Sequence, residues 1–268
     1  MSTIQVENEL KTALKFGARL IATNDLDPVY NVLYGAEMSR DQKDRTSLAY
    51  WCFYNLGLAA EIGMETTAKA YYDAIEDSIP KGRRGAERRH WRGEAARRTL
   101  SWLREHGEPE SIVEQIFSKP GYADVANQVK AIPVFGPWIT WKIADMGERC
   151  LGRTVDFSEA SLSMYRDPVQ GAAQVLRGDW RAKITSEEVE EVTQAVIDSL
   201  RTLKAPPSYD RQINIQEAET VLCKYKSWRK GNYWIGKDIK EIGEAMRAAG
   251  PTARRLAQHL PREVRRCR

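Results

Sequence analysis

One acid, Asp156, stands between two apolar residues, Val155 and Phe157, near the end of a stretch running from Lys130 to Ser158. A carboxylate placed this way is a candidate for proton transfer. Upstream, Ile132-Pro133-Val134-Phe135-Gly136-Pro137 reads as a short turn. Trp138, Ile139, Ile143 and Met146 follow at the spacing of one apolar helical face, and Gly152 is placed to end that helix. A glycine-centred turn opening a helix points backbone N–H groups outward, where they can hold a phosphate. An ordinary helix hairpin with a capping Asp has the same pattern, and spacing alone does not separate the two.

The second group of chemically capable residues is cationic. Between Pro80 and Arg104 lie Lys81, Arg83, Arg84, Arg88, Arg89, Arg92, Arg97, Arg98 and Arg104, opposed only by Glu87 and Glu94. His90 and Trp91 sit inside the cluster. A helix starting near Ala86 would put Arg88, Arg92 and Arg84 on one face. Arginine forks bind phosphate oxygens in pairs, so the cluster favours an anionic partner over a merely solvated helix. A later stretch, Lys224, Tyr225, Lys226, Trp228, Arg229 and Lys230, interleaves basic and aromatic residues in the manner of nucleic-acid contacts, although plain packing also produces it. The tail adds Arg254, Arg255, Arg262, Arg265, Arg266 and Arg268.

The elements that must position these groups read as helices. Apolar residues recur at helical spacing over residues 4–22, and Asp27-Pro28 reads as the start of the next helix. Asp27 and Tyr30 can face a pocket there. Residues 44–62 form the most aromatic stretch. Tyr50, Trp51, Phe53 and Tyr54 surround one helix, which marks it as buried at a domain centre. One or two of these rings could instead stack on a base. Asn55 and Glu61 are polar within this run and need partners if buried. Val189, Val192, Val196 and Leu200 make a core stripe. Period-two runs of β-branched residues are missing, so the expected class is mainly α.

Composition narrows the rest. The chain has 268 residues and a net charge of +4. Cys52, Cys150, Cys223 and Cys267 form no CxxC pair, which argues against a zinc or iron–sulfur site and fits free thiols in a reducing cytoplasm. No apolar run is long enough for a bilayer. The expected organisation is a catalytic region over residues 1–204 and, after Ala205-Pro206-Pro207-Ser208, a basic helical region over residues 205–268 packed on the same domain.

The Ile132–Asp156 segment resembles the helix-hairpin-helix and catalytic-acid region of DNA base-excision glycosylases. In that family a Leu-Pro-Gly-Val-Gly hairpin starts a helix, and an Asp follows a valine. Here Ile132-Pro133-Val134-Phe135-Gly136 and Val155-Asp156 take those places. Val134 replaces the first hairpin glycine, and Trp138 stands where bifunctional glycosylases carry a nucleophilic lysine. More of the chain resembles a relative of that fold, the α-glutamyl/putrescinyl-thymine pyrophosphorylases or amino acid:DNA transferases of bacterial viruses. The resemblance rests on Asp27-Pro28-Val29-Tyr30, the segment from Tyr50 to Glu61, Arg88-Arg89-His90-Trp91-Arg92-Gly93, Leu222–Lys226 and Gly236-Lys237-Asp238.

The resemblance implies a helix-hairpin-helix, glycosylase-like helical fold and a transferase acting in the host cytoplasm. Its substrates would be DNA bearing pyrophosphorylated 5-hydroxymethyluracil and a free amine, with glycine or serine expected. Arg88, Arg89, His90 and Arg92 would hold the pyrophosphate. A Mg²⁺ ion would be compatible with that group, although the sequence demands no metal. Asp156 or Glu61 would take the amine's proton. Trp51, Tyr54 and Asn55 would meet the base, with Asp27, Tyr30, Lys224, Tyr225 and Lys226 completing the substrate site. Phe135, Gly136, Trp138 and Lys142 would contact DNA. A monofunctional glycosylase and a non-catalytic DNA-binding protein are the alternatives.

Overall fold

Periodic apolar residues bounded by capping side chains produce a chain of helices, described over residues 3–264 in a computed structural model. In order they are α1 (Thr3–Ala22), α2 (Pro28–Gly35), α3 (Arg40–Phe53), α4 (Leu56–Ile62), α5 (Ala68–Ser78), α6 (Gly93–His106) and α7 (Pro109–Ile116). There follow α8 (Tyr122–Ala131), α9 (Pro137–Leu151), α10 (Arg166–Arg177), α11 (Ser186–Leu200), α12 (Ile215–Arg229), α13 (Lys237–Ala248) and α14 (Pro251–Leu256). Among the described residues there is no sheet, and the mainly α class holds; the isolated bridges Gly121–Asp156 and Lys204–Gln212 are the strand-like pairings. Cys267 and the tail residues Arg265, Arg266 and Arg268 lie outside the described residues.

Helix starts follow local chemistry. Ser39 with Gln42, Thr185 with Glu188, and Asn214 with Glu217 form capping boxes that satisfy otherwise orphaned N–H groups. Two helical expectations are corrected. The aromatic stretch 44–62 is two helices: Tyr54 takes the left-handed conformation (φ 51°) and closes α3, and the Asn55 side chain then accepts the Leu58 N–H to open α4. No regular helix starts at Ala86. A short 3₁₀ turn, Ala86–Arg88, gives way to a turn at Arg89 and His90, and α6 begins only at Gly93. Arg84, Arg88 and Arg92 therefore do not line one helical face.

The chain gathers into two compact units that interleave in sequence. Unit 1 takes the residues up to Pro28, Ala160–Lys240 and those from Pro261; unit 2 takes Val29–Glu159 and Glu241–Leu260. Residues on both sides of the Pro206-Pro207 break thus share unit 1. Its core joins α1, α10, α11 and α12, with Val189, Val192, Val196 and Leu200 all buried. Gly171 lets α10 approach α12 closely, since a Cβ there would lie 2.3 Å from the Leu222 carbonyl oxygen. In unit 2 the central helix is α9, buried from Ile139 through Gly147. Each large aliphatic side chain buried along it contributes roughly 2 kcal/mol.

Candidate active site

The hairpin before α9 is built on a strained residue. Val134 has φ 69°, the left-handed conformation that a β-branched side chain rarely takes. The backbone keeps the shape a glycine would adopt even though the glycine is absent. Two buried donors hold it. Thr99 Oγ1 donates to the Pro133 carbonyl at 2.8 Å, and Arg88 Nη1 donates to the Val134 carbonyl at 3.2 Å. Arg88 also donates from Nε to the Cys52 carbonyl at 3.3 Å, and its guanidinium lies 4.8 Å from the Phe135 ring centroid. Beyond Phe135, Gly136 and Pro137 are exposed. A Cβ at Gly136 would meet nothing within 4 Å, so the tip and the first turn of α9 stand open.

A second left-handed residue, Tyr54, faces the same region. Its ring lies edge-on to Trp138 at 5.0 Å and tilted over Tyr50 at 4.6 Å. Tyr54 and Trp138 are both half-buried. Trp51 is fully buried, and its indole N–H donates to the Met146 sulfur at 3.2 Å. Asn55 divides its amide between capping α4 and donating to the Arg83 carbonyl at 3.1 Å.

The arginine cluster separates by burial. Arg88 is 1% exposed, and loss of solvent around it lowers its pKa to about 10. Arg84 is turned inward onto the Ile79, Gly82 and Trp91 carbonyls. Arg89, His90 and Arg92 are exposed, as are Arg83, Arg97 and Arg98. Partial burial, then the charges of Arg88 and Arg89, hold His90 below its ordinary pKa.

The two acids differ sharply. Asp156 is exposed, while Val155 and Phe157 on either side are buried. Its backbone pairs with the Pro120–Tyr122 segment through Asp156 N to Pro120 O at 2.6 Å and Tyr122 N to Asp156 O at 3.0 Å. The carboxylate accepts the Ser158 N–H at 2.9 Å, and hydrogen bonding from Ser158 lowers its pKa. Glu61 instead accepts the Ala253 N–H at 2.7 Å and so holds the start of α14.

Sequence reasoning named Tyr30 and Lys142 but missed Asp145 and Arg149, with which they form a buried cluster on α9, so that Lys142 is turned inward. Asp145, fully buried, accepts the Tyr30 hydroxyl at 2.6 Å. Lys142 lies 3.8 Å and Arg149 3.4 Å from the same carboxylate, and the Arg149 guanidinium sits 4.6 Å from the Tyr30 ring centroid. The signal was available: charges at positions 142, 145 and 149 recur at helical spacing within an otherwise apolar helix. Such charges are kept inside only where they are paired and hydrogen-bonded.

The remaining predicted residues belong to unit 1 and are engaged within it. Asp27 accepts the Thr220 hydroxyl at 3.3 Å. Lys224 pairs with Asp238 at 2.6 Å and donates to the Asp25 carbonyl at 2.5 Å. Burial opposes its charge, but Asp238, Asp25 and Asp27 outweigh that and raise its pKa. Tyr225 is buried with its hydroxyl on Glu9 at 2.8 Å, and Lys226 is buried against Asp167 at 2.5 Å. Asp25, another residue missed, is a buried carboxylate that accepts Tyr233 Oη, the Gly236 N–H at 2.5 Å and the Ile239 N–H at 3.3 Å.

Among the described residues, no three His, Cys, Asp or Glu side chains are gathered so as to hold a metal ion, and no helix is long and apolar enough to cross a membrane. Cys52, Cys150 and Cys223 are free thiols; burial pushes Cys52 up to about 12.

Fold and site define a mainly helical protein with an exposed hairpin tip braced by a buried arginine. Residues 13–233 match the family model described as amino acid:DNA transferase. A glycinyltransferase of Pseudomonas phage PaMx11 is 37% identical over 259 residues, covering 86% of this chain and 88% of the phage protein. A putrescinyltransferase of Delftia phage PhiW-14 is 27% identical over 261 residues, covering 94% and 84%. The chain belongs to the amino acid:DNA transferase family. It is an enzyme, a transferase of DNA modification.

Proposed function

We propose that the protein transfers an amino acid, glycine or serine, or another amine to the 5-methylene carbon of pyrophosphorylated 5-hydroxymethyluracil in DNA. The observation that carries this reading is the match to the glycinyltransferase across most of both chains. A C–N bond forms at the methylene carbon, its C–O bond breaks, and pyrophosphate departs with the electron pair. Direct displacement and elimination followed by amine addition both satisfy this balance. The proton leaves the amine nitrogen for a carboxylate. Asp156 suits that step because its side chain is ionised and exposed, whereas Glu61 is occupied at the start of α14. Leaving-group charge is met by Arg89 and Arg92, which are exposed, while the buried Arg88 fixes the hairpin.

The hairpin tip binds a DNA phosphate in the helix-hairpin-helix manner, with Gly136 leaving room for close approach. Tyr54 and Trp138 are the partly exposed rings available to stack on a flipped base. The test is mass spectrometry of nucleosides from DNA containing pyrophosphorylated 5-hydroxymethyluracil, after incubation with the protein and mixed amino acids. A nucleoside gaining the mass of one amino-acid residue in place of pyrophosphate, with pyrophosphate released, is expected. Release of free base would transfer the reading to a glycosylase, and no change in the DNA would overturn it.

A further inference from the structure

Several cations of unit 1 are paired with acids. Lys224 pairs with Asp238, Lys226 with Asp167, Arg229 with Glu9 at 3.0 Å, and Arg177 with Glu188. Arg181 and Lys230 instead meet an indole ring. Trp180 lies in the segment between α10 and α11, and Lys230 caps the end of α12. Lys230 Nζ sits 3.9 Å from the Trp180 ring centroid, and the guanidinium carbon of Arg181 sits 4.7 Å from it. Both cations are exposed and the indole is half-buried. The nearby acid, Asp179, accepts the Arg181 backbone N–H on Oδ1 at 2.9 Å, which fixes the turn that carries Trp180 and Arg181.

An indole face attracts a cation but has no net charge with which to cancel it. A carboxylate partner would have neutralised each group; the ring positions both and leaves their charge intact. Two like charges gathered near one ring repel, and an anion bound beside either lowers that repulsion. Their exposure suits the phosphates of a polymer, which arrive already linked to the rest of a bound ligand.

We propose that Trp180, Arg181 and Lys230 form a clamp for backbone phosphates of DNA, a contact surface within unit 1. The inference rests on DNA being the substrate. The arginine and lysine supply charge, and the indole supplies order, so that less side-chain freedom is lost on binding.

The experiment is a salt titration of binding to an end-labelled duplex, read by fluorescence anisotropy. Removing two phosphate contacts in the Arg181→Gln, Lys230→Gln double variant should lower the slope of log affinity against log salt by roughly 1.8, with a loss on the order of tenfold or more near 0.1 M salt. The control, Lys11→Gln with Lys69→Gln, removes the same charge from exposed lysines already paired with Glu7 and Asp73, and should leave the slope close to that of the wild type. Trp180→Leu keeps both cations and should still weaken binding several-fold. An unchanged slope in the double variant, or an equal fall in the control, overturns the clamp while leaving the transferase reading in place. Absence of any DNA binding by the wild-type protein would defeat both.

Discussion

Asp25 with Lys224 in unit 1 and Asp156 with Arg88 in unit 2 show opposite placements of charge. In unit 1 acids go inside: Asp25 is buried, its pKa raised by desolvation, and Lys224 is drawn in beside it and Asp238. In unit 2 Asp156 stays outside, and at the hairpin an arginine goes in. Asp156 is exposed with a lowered pKa, while Arg88 is buried on two backbone carbonyls and an aromatic ring. A carboxylate-held lysine is neutralised and serves stability. A carbonyl-held arginine keeps its charge and fixes a backbone shape. The basic runs that look alike in sequence therefore do different work.

The sharpest test of this contrast is Asp156→Asn. Asparagine at this exposed position keeps an acceptor for the Ser158 N–H, so the unfolding midpoint should hold while turnover falls on the order of 10² to 10⁴-fold, the range for a general base. A turnover near that of the wild type would put the proton acceptor elsewhere.

Lys224→Met is the matching experiment in unit 1. It leaves Asp25 and Asp238 facing one another without their cation and should cost about 3 kcal/mol in a urea titration at pH 7. The sign with pH follows from linkage. Lys224's raised pKa means that its contribution is complete below the unfolded-state value of 10.5 and fades as the pH rises through the folded value. Wild-type stability should decline in that alkaline window, and the variant should lack this component. On the acid side, Asp25 already has a raised pKa, and losing Lys224 raises it further, so the folded variant takes up a proton first and its deficit should shrink as the pH falls. A deficit that is constant with pH would contradict the pairing.

Arg88→Met should cost roughly 2 kcal/mol, because the Cys52 and Val134 carbonyls lose their donor. It should also weaken DNA binding, since the hairpin loses its brace. Val134→Gly should act in the other direction by the smallest amount, a gain of about 1 kcal/mol from relief of the left-handed strain. If DNA binding is kept in Val134→Gly and lost in Arg88→Met, hairpin geometry rather than the valine side chain is what matters there.

Much of the fold was legible. The mainly α class, the end of α9 at Gly152, the core stripe of α11 and the start of α2 at Pro28 all follow from spacing, glycine and proline. The break at Tyr54-Asn55 was readable in principle from the capping Asn, but the aromatic run on both sides concealed it. The disposition of the arginines was not legible. Arg84, Arg88 and Arg92 have one composition and close spacing, yet only the surrounding carbonyls decide which is buried.

By itself the sequence determined the local structure, because helix period, caps and turn residues act over a few positions. It also carried the family in its dispersed motifs. The tertiary structure decided what those residues are for. It held Val134 in a conformation its side chain disfavours, assigned Glu61 to a helix start, left Asp156 in solvent, and set two cations on Trp180. Burial and charge pairing depend on groups distant in the chain, and their free energies exist only once those groups meet.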